Sequence, residues 1–193
     1  MIQSNVLQKR EKMYHIKSDK RSGRSAELIC EGLAAMLNEK SYRDITISDV
    51  CSRCGIARTT FYRLFDTLDD VLLYQFDGLF EAGIAQYRSG SDAARSYAYI
   101  LLSIAFSDRS LITALIASGR TDLFDFSTRL KEQQLLHDIG LTLKEPNRRY
   151  CTAMLNAMLL STVRIWIENG GMESVDELYE ILKTNLAMTL KYL

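Results

Sequence analysis

Between Thr46 and Phe65 the chain reads TISDVCSRCGIARTTFYRLF, and this stretch leaves little freedom to the fold around it. Thr46 followed by Asp49 is a capping-box-like helix start, with Asp in place of Glu. Ile47, Val50, Cys51 and Cys54 then recur at helical spacing and make an inward stripe. Gly55 supplies the positive φ that ends a helix. A second short helix is expected over about 58–64, with Phe61 and Phe65 inward. At about 100° per residue, Thr59, Thr60 and Arg63 share its opposite face and Tyr62 lies at the edge. Helix, glycine turn and short helix form a helix-turn-helix.

The rest of the chain is read as helical too. The 193 residues contain one proline, Pro146, so almost nothing interrupts helices. Ile29, Leu33, Met36 and Leu37 mark an amphipathic helix from Ser22 or Ser25 to about Lys40. Thr67, with Asp69 and Asp70 in the first turn, starts a long helix carrying Val71, Leu72, Phe76, Leu79 and Phe80. The clearest break is RSGSD. After it, Ser91 or Asp92, Asp108 and Thr121 cap further helices, and Pro146 opens one that Gly170 and Gly171 close. Ser174 and Glu177 form a capping box for the last helix, to about Lys191. No alternating strand pattern or repeat occurs. The expected fold is all-α with about nine helices, divided into a flexible basic arm (1–21), a helix-turn-helix domain (22–66) and a connecting helix plus C-terminal domain (67–193).

Charge is balanced overall, with 24 basic and 24 acidic residues, but it is unevenly placed. Lys9, Arg10, Lys12, Lys17, Lys20, Arg21 and Arg24 face only Glu11 and Asp19 in the first 24 residues. Such a basic arm on an acidic remainder suits a nucleic-acid contact or a solvated tail. No unbroken apolar run reaches membrane-spanning length and no signal-peptide stretch opens the chain, so a cytoplasmic protein without a membrane partner is expected. Cys51 and Cys54 can be read as a redox pair or half a zinc site. Their place on the inward stripe favours two small hydrophobes, with no metal or cofactor.

The segment from Tyr150 to Ile167 is apolar or small around most of its circumference, as expected of a helix buried on all sides. Packed with the last helix it would form a four-helix seam in a two-fold dimer, with Met154, Met158, Ser161, Ile165, Leu178 and Leu182 at the interface.

The stretch ITISDVCSRCGIARTTFYRLFDTLDDVLLYQF resembles the DNA-binding module of the TetR/AcrR family of bacterial regulators, through Thr46, Val50, Gly55, Ile56, Thr60, Phe61, Tyr62 and Phe65. The upstream EGLAAMLNEKSY resembles that family's first helix, and WIENGGMESVDEL the C-terminal ends of some members. The resemblance covers roughly residues 25–75 by motif and the rest by helix count. It implies a homodimeric repressor without catalytic activity, released from a palindromic DNA operator by a small molecule. Arg58, Thr59, Thr60 and Arg63 are then candidates for base or phosphate contact, and Tyr62, Thr46, Tyr42 and Lys40 for phosphate contact. An effector pocket is expected among Tyr97, Tyr99, Phe106, Arg120, Phe124, Asn156, Arg164 and Trp166. Three departures stand out: Ala57 for the usual serine, Leu64 for a frequent histidine and Leu68 for a frequent lysine. Each removes a DNA-backbone contact, which the basic arm could replace. They also admit a coregulator or activator that works through a protein partner.

Overall fold

The computed structural model describes residues 14–16, 19–89, 97–124, 128 and 143–191. Among them are eight α-helices and one 3-10 turn, and the only pairing of extended backbone is an isolated bridge. The chain divides into two compact units, Met1–Phe76 and Asp77–Leu193.

In the first unit, α1 (Lys20–Leu37) begins earlier than the serines suggest. Asp19 is its cap, accepting from the Ser22 amide and hydroxyl at 2.8 Å each. A 3-10 turn at Tyr42–Asp44 leads to α2 (Ile47–Cys54) and α3 (Arg58–Leu64). The start of α4 (Leu68–Ser89) closes the unit. Ile29 and Leu33 of α1, Val50 of α2, Phe61 and Phe65 at α3, and Val71 and Leu72 of α4 are fully buried. Gly32 lets α1 and α2 approach: a Cβ there would stand 3.0 Å from Cys54 Cβ. Cys51 is buried and Cys54 half-buried, so the two cysteines do not share one environment. Burial pushes the Cys51 thiol up, and pushes that of Cys30 up to about 12, which keeps both protonated and inert. No metal-binding cluster occurs among the described residues.

The second unit holds the end of α4, then α5 (Tyr97–Ser107), α6 (Arg109–Ser118), α7 (Asn147–Glu168) and α8 (Val175–Leu190). Asp108 caps α6, which leaves α5 at an angle of 100°. α5 packs against both α7 and α8. The helix expected from Thr121 lies largely outside the described residues. By length and composition α7 is apolar enough to cross a membrane, which a count of unbroken apolar residues misses. It is not buried all round. Thr152, Asn156, Leu159, Val163 and Trp166 form one buried face, while Tyr150, Met154 and Ile165 are exposed.

Candidate nucleic-acid interface

The exposed face of α3 is held by what precedes it. Thr46 Oγ1 accepts from the Asp49 amide at 3.2 Å, while Asp49 Oδ2 accepts from the Thr46 amide at 2.9 Å, completing the capping box. Gly55 has φ +67°, and the Ile56 amide donates back to Cys51 O at 3.0 Å. Open space surrounds the position of a Gly55 Cβ, so backbone conformation and not crowding selects glycine there. Ala57 stands at the cap of α3 with no side-chain hydrogen bond.

α3 is then rolled by its apolar residues. Phe61, Leu64 and Phe65 are buried, and Phe65 packs edge-on to Tyr74 at 5.8 Å. This presents Arg58, Thr59, Tyr62 and Arg63 to solvent on one helix, with Thr60 half-buried beside them. The Tyr62 ring is 53% exposed although it packs edge-on to Phe61 at 5.7 Å, so its hydroxyl end faces outward on a fixed base. Leu64 is part of the core and cannot meet a phosphate.

The flanking candidates are tied together by carboxylates. Lys40 Nζ donates to Asp49 Oδ2 at 2.8 Å, and the Tyr42 hydroxyl to Asp69 Oδ1 at 2.5 Å. The Lys40 ammonium and the Thr46 amide hold Asp49 down at about 2. The Arg58 guanidinium donates to Ser48 Oγ, and Arg53 pairs with Glu39. Asp70 accepts from the amides of Asp66 and Thr67 at 2.9 and 2.8 Å and so fixes the turn between α3 and α4. Burial raises its pKa, against the pull of those same hydrogen bonds.

One feature of this surface was not legible in sequence. Tyr14 forms an antiparallel bridge with Phe65, and the His15 amide donates to Leu64 O at 2.8 Å. His15 Nε2 lies 3.3 Å from Asp66 Oδ2. Tyr14 and Phe65 both pack on Tyr74, at 5.2 and 5.8 Å. Two residues of the presumed flexible arm therefore lie against the exit of α3.

The effector candidates fall into separate groups. The Tyr99 hydroxyl donates to Asp176 Oδ1 at 2.8 Å, with the ring edge-on to Tyr179 at 5.3 Å. Phe106 stacks on Trp166 at 4.2 Å, Arg109 lies 4.8 Å over the same indole, and Trp166 Nε1 donates to Glu173 O at 3.1 Å. Asn156 Nδ2 donates at 2.8 Å to Thr128 Oγ1, which donates at 2.9 Å to Phe124 O, inside the unit. Asn156 and Trp166 share a face of α7 but stand about 15 Å apart along it. Arg120 binds Asp122, Arg164 is exposed, and the Tyr97 side chain lies outside the described residues. Among the residues expected at a dimer seam, Met154, Ser161 and Ile165 are exposed and Met158 is half-buried. Leu178 and Leu182 are buried within the unit, and Ile181, Leu186 and Met188 are the exposed large apolar residues of α8.

Among the solved structures that share this architecture are two regulators. One is the fatty acid degradation regulator FadR from Bacillus halodurans, with a TM-score of 0.57 and 19% identity over 86% of this chain and 96% of that one. The other is the transcriptional regulator FadR from Bacillus subtilis in complex with stearoyl-CoA, with a TM-score of 0.59 and 18% identity over 81% of this chain and 95% of that one. No protein-family model and no curated protein matches the sequence. At these identities the likeness shows a shared fold.

Proposed function

We propose that this chain, sharing its fold with the FadR regulators, is a ligand-responsive DNA-binding transcriptional regulator of the cytoplasm. The observation that carries the reading is the outward face of α3. Arg58, Thr59, Tyr62 and Arg63 are exposed together on a helix whose opposite side is locked in the core by Phe61 and Leu64. A rigid helix with two guanidinium groups and hydroxyls on its solvent side suits a major groove, where arginine reads guanine in bidentate fashion. Thr46, the cap of α2, and Tyr42 and Lys40 in the connection before it are the proposed phosphate contacts, the latter two by exchanging Asp69 and Asp49 for a phosphate.

The exposed Tyr150, Met154 and Ile165 on α7, with Ile181 and Met188 on α8, supply the seam of a two-fold dimer. Two α3 helices then read a palindromic operator. The protein acts as a repressor that its effector releases. The effector is a long-chain acyl thioester of the kind bound by the Bacillus subtilis FadR, and stearoyl-CoA is the compound to try first.

Selection of bound duplexes from a random DNA pool tests the reading. A palindrome with half-sites one helical turn or a multiple apart is expected, with binding relieved by stearoyl-CoA but not by coenzyme A. Enrichment of no sequence would overturn it. That outcome would favour the second reading, a coregulator acting through a protein partner, which Ala57 and the buried Leu64 support.

A further inference from the structure

We infer that Asp69 is an internal phosphate surrogate, an acceptor that occupies the Tyr42 hydroxyl in the free protein and so limits how tightly the module holds any DNA. The inference rests on the reading of the chain as a DNA-binding regulator in which Tyr42 and Lys40 are phosphate contacts. The Tyr42 hydroxyl donates to Asp69 Oδ1 at 2.5 Å, and Lys40 Nζ donates to Asp49 Oδ2 at 2.8 Å. Both contacts join the connection between α1 and α2 to an acidic residue in the first turn of a helix, Asp69 in α4 and Asp49 in α2. A carboxylate offers these donors what a phosphate would, an anionic oxygen at hydrogen-bond distance.

The two pairs are not equivalent. An ammonium has three donors, so Lys40 can engage a phosphate before it leaves Asp49. A phenol has one, and Tyr42 must release Asp69 before it donates to DNA. Asp49 also accepts from the Thr46 amide and holds the start of α2, whereas the cap of α4 is made by Thr67 and Asp70 without Asp69. That leaves Asp69 free to serve the tyrosine. Phosphates carry no base information, so the cost of the exchange is the same for every duplex. Affinity falls for all DNA alike, and discrimination stays with the exposed Arg58, Thr59 and Arg63 of α3.

The test is a double-mutant cycle of Asp69→Asn and Tyr42→Phe in the full-length protein, read as affinity at 50 mM salt for a selected palindrome and for an unrelated duplex. Asp69→Asn is expected to bind both about fivefold more tightly, the difference between giving up a charged and a neutral acceptor. In the Tyr42→Phe background, where no hydroxyl has to be released, that gain is expected to vanish. Asp44→Asn removes an equal charge from the exposed 3-10 turn that holds Tyr42, and is expected to gain less than about twofold. Asp69→Ala gives the same sign by a second route, and circular dichroism checks that each variant keeps its helix content. Binding by Asp69→Asn no tighter than wild type would overturn the surrogate, since Asp69 would then only position the tyrosine. A gain that survives in Tyr42→Phe, or that Asp44→Asn matches, would overturn it as well, because charge alone would account for it. Wild-type protein that binds neither duplex overturns the functional reading, and the surrogate with it.

Discussion

Gly32 and Gly78 both lie inside helices but ask different things of a side chain. A Cβ at Gly32 would meet Cys54 Cβ at 3.0 Å and Val50 O at 3.4 Å, atoms too close to the backbone to swing aside. A Cβ at Gly78 meets nothing within 4 Å. Gly78→Ala is expected to stabilise by about 0.5–1 kcal/mol through helix propensity. In Gly32→Ala overpacking of about 1–3 kcal/mol outweighs that gain, so the variant is less stable. Urea midpoints at constant m value separate the two. Asp49 makes a pH prediction. Its folded pKa, about 2, lies below its unfolded value of about 3.9 because Lys40 and the Thr46 amide bind the carboxylate. Its contribution is therefore full above about pH 4 and is lost as pH falls through about 2. Urea midpoints of Asp49→Asn should fall less than those of wild type between these limits, and high salt should narrow the difference because the pair is partly exposed. Asp70 works in the opposite sense, since burial raises its pKa and its charge is disfavoured above it.

Helix termini were the most legible elements, because a cap is chemistry between residues three apart. Thr46 with Asp49, Ser174 with Glu177 and Gly55 all stand where their side chains or backbone freedom require. Replacing Thr46 by Ala is expected to cost about 1 kcal/mol, and Gly55→Ala about the same through backbone strain alone. Thermal unfolding of the single and double variants would show costs that add less than fully, because both act on one short helix. The start of α1 was less legible. Ser22 and Ser25 are both plausible caps by residue type, and only the folded backbone shows Ser22 donating to Asp19. The same limit hid the clamp of Tyr14 on Phe65, which joins residues 51 apart.

At the scale of the whole molecule, one exposed apolar stripe carries the dimer proposal. Met154 and Ile165 are 65% and 57% exposed on the side of α7 opposite Asn156. The double substitution Met154→Glu/Ile165→Glu is expected to leave helix content intact and convert a dimer to monomers in sedimentation velocity. DNA affinity should fall with it, since a monomer spans one half-site. A wild-type monomer at micromolar concentration would remove the basis for a palindromic operator. Leu178 and Leu182, expected at the dimer seam, are buried within the unit instead. Local sequence thus settled the helical class, the caps of α2, α6 and α8, the glycine turn and the outward Thr59 and Arg63 of α3, because each depends on neighbours within a turn or two. Which apolar face lies inside, how far Cys54 is covered, and where Tyr14 comes to rest were decided only by folding, because burial belongs to pairs of elements and no single helix encodes its partner.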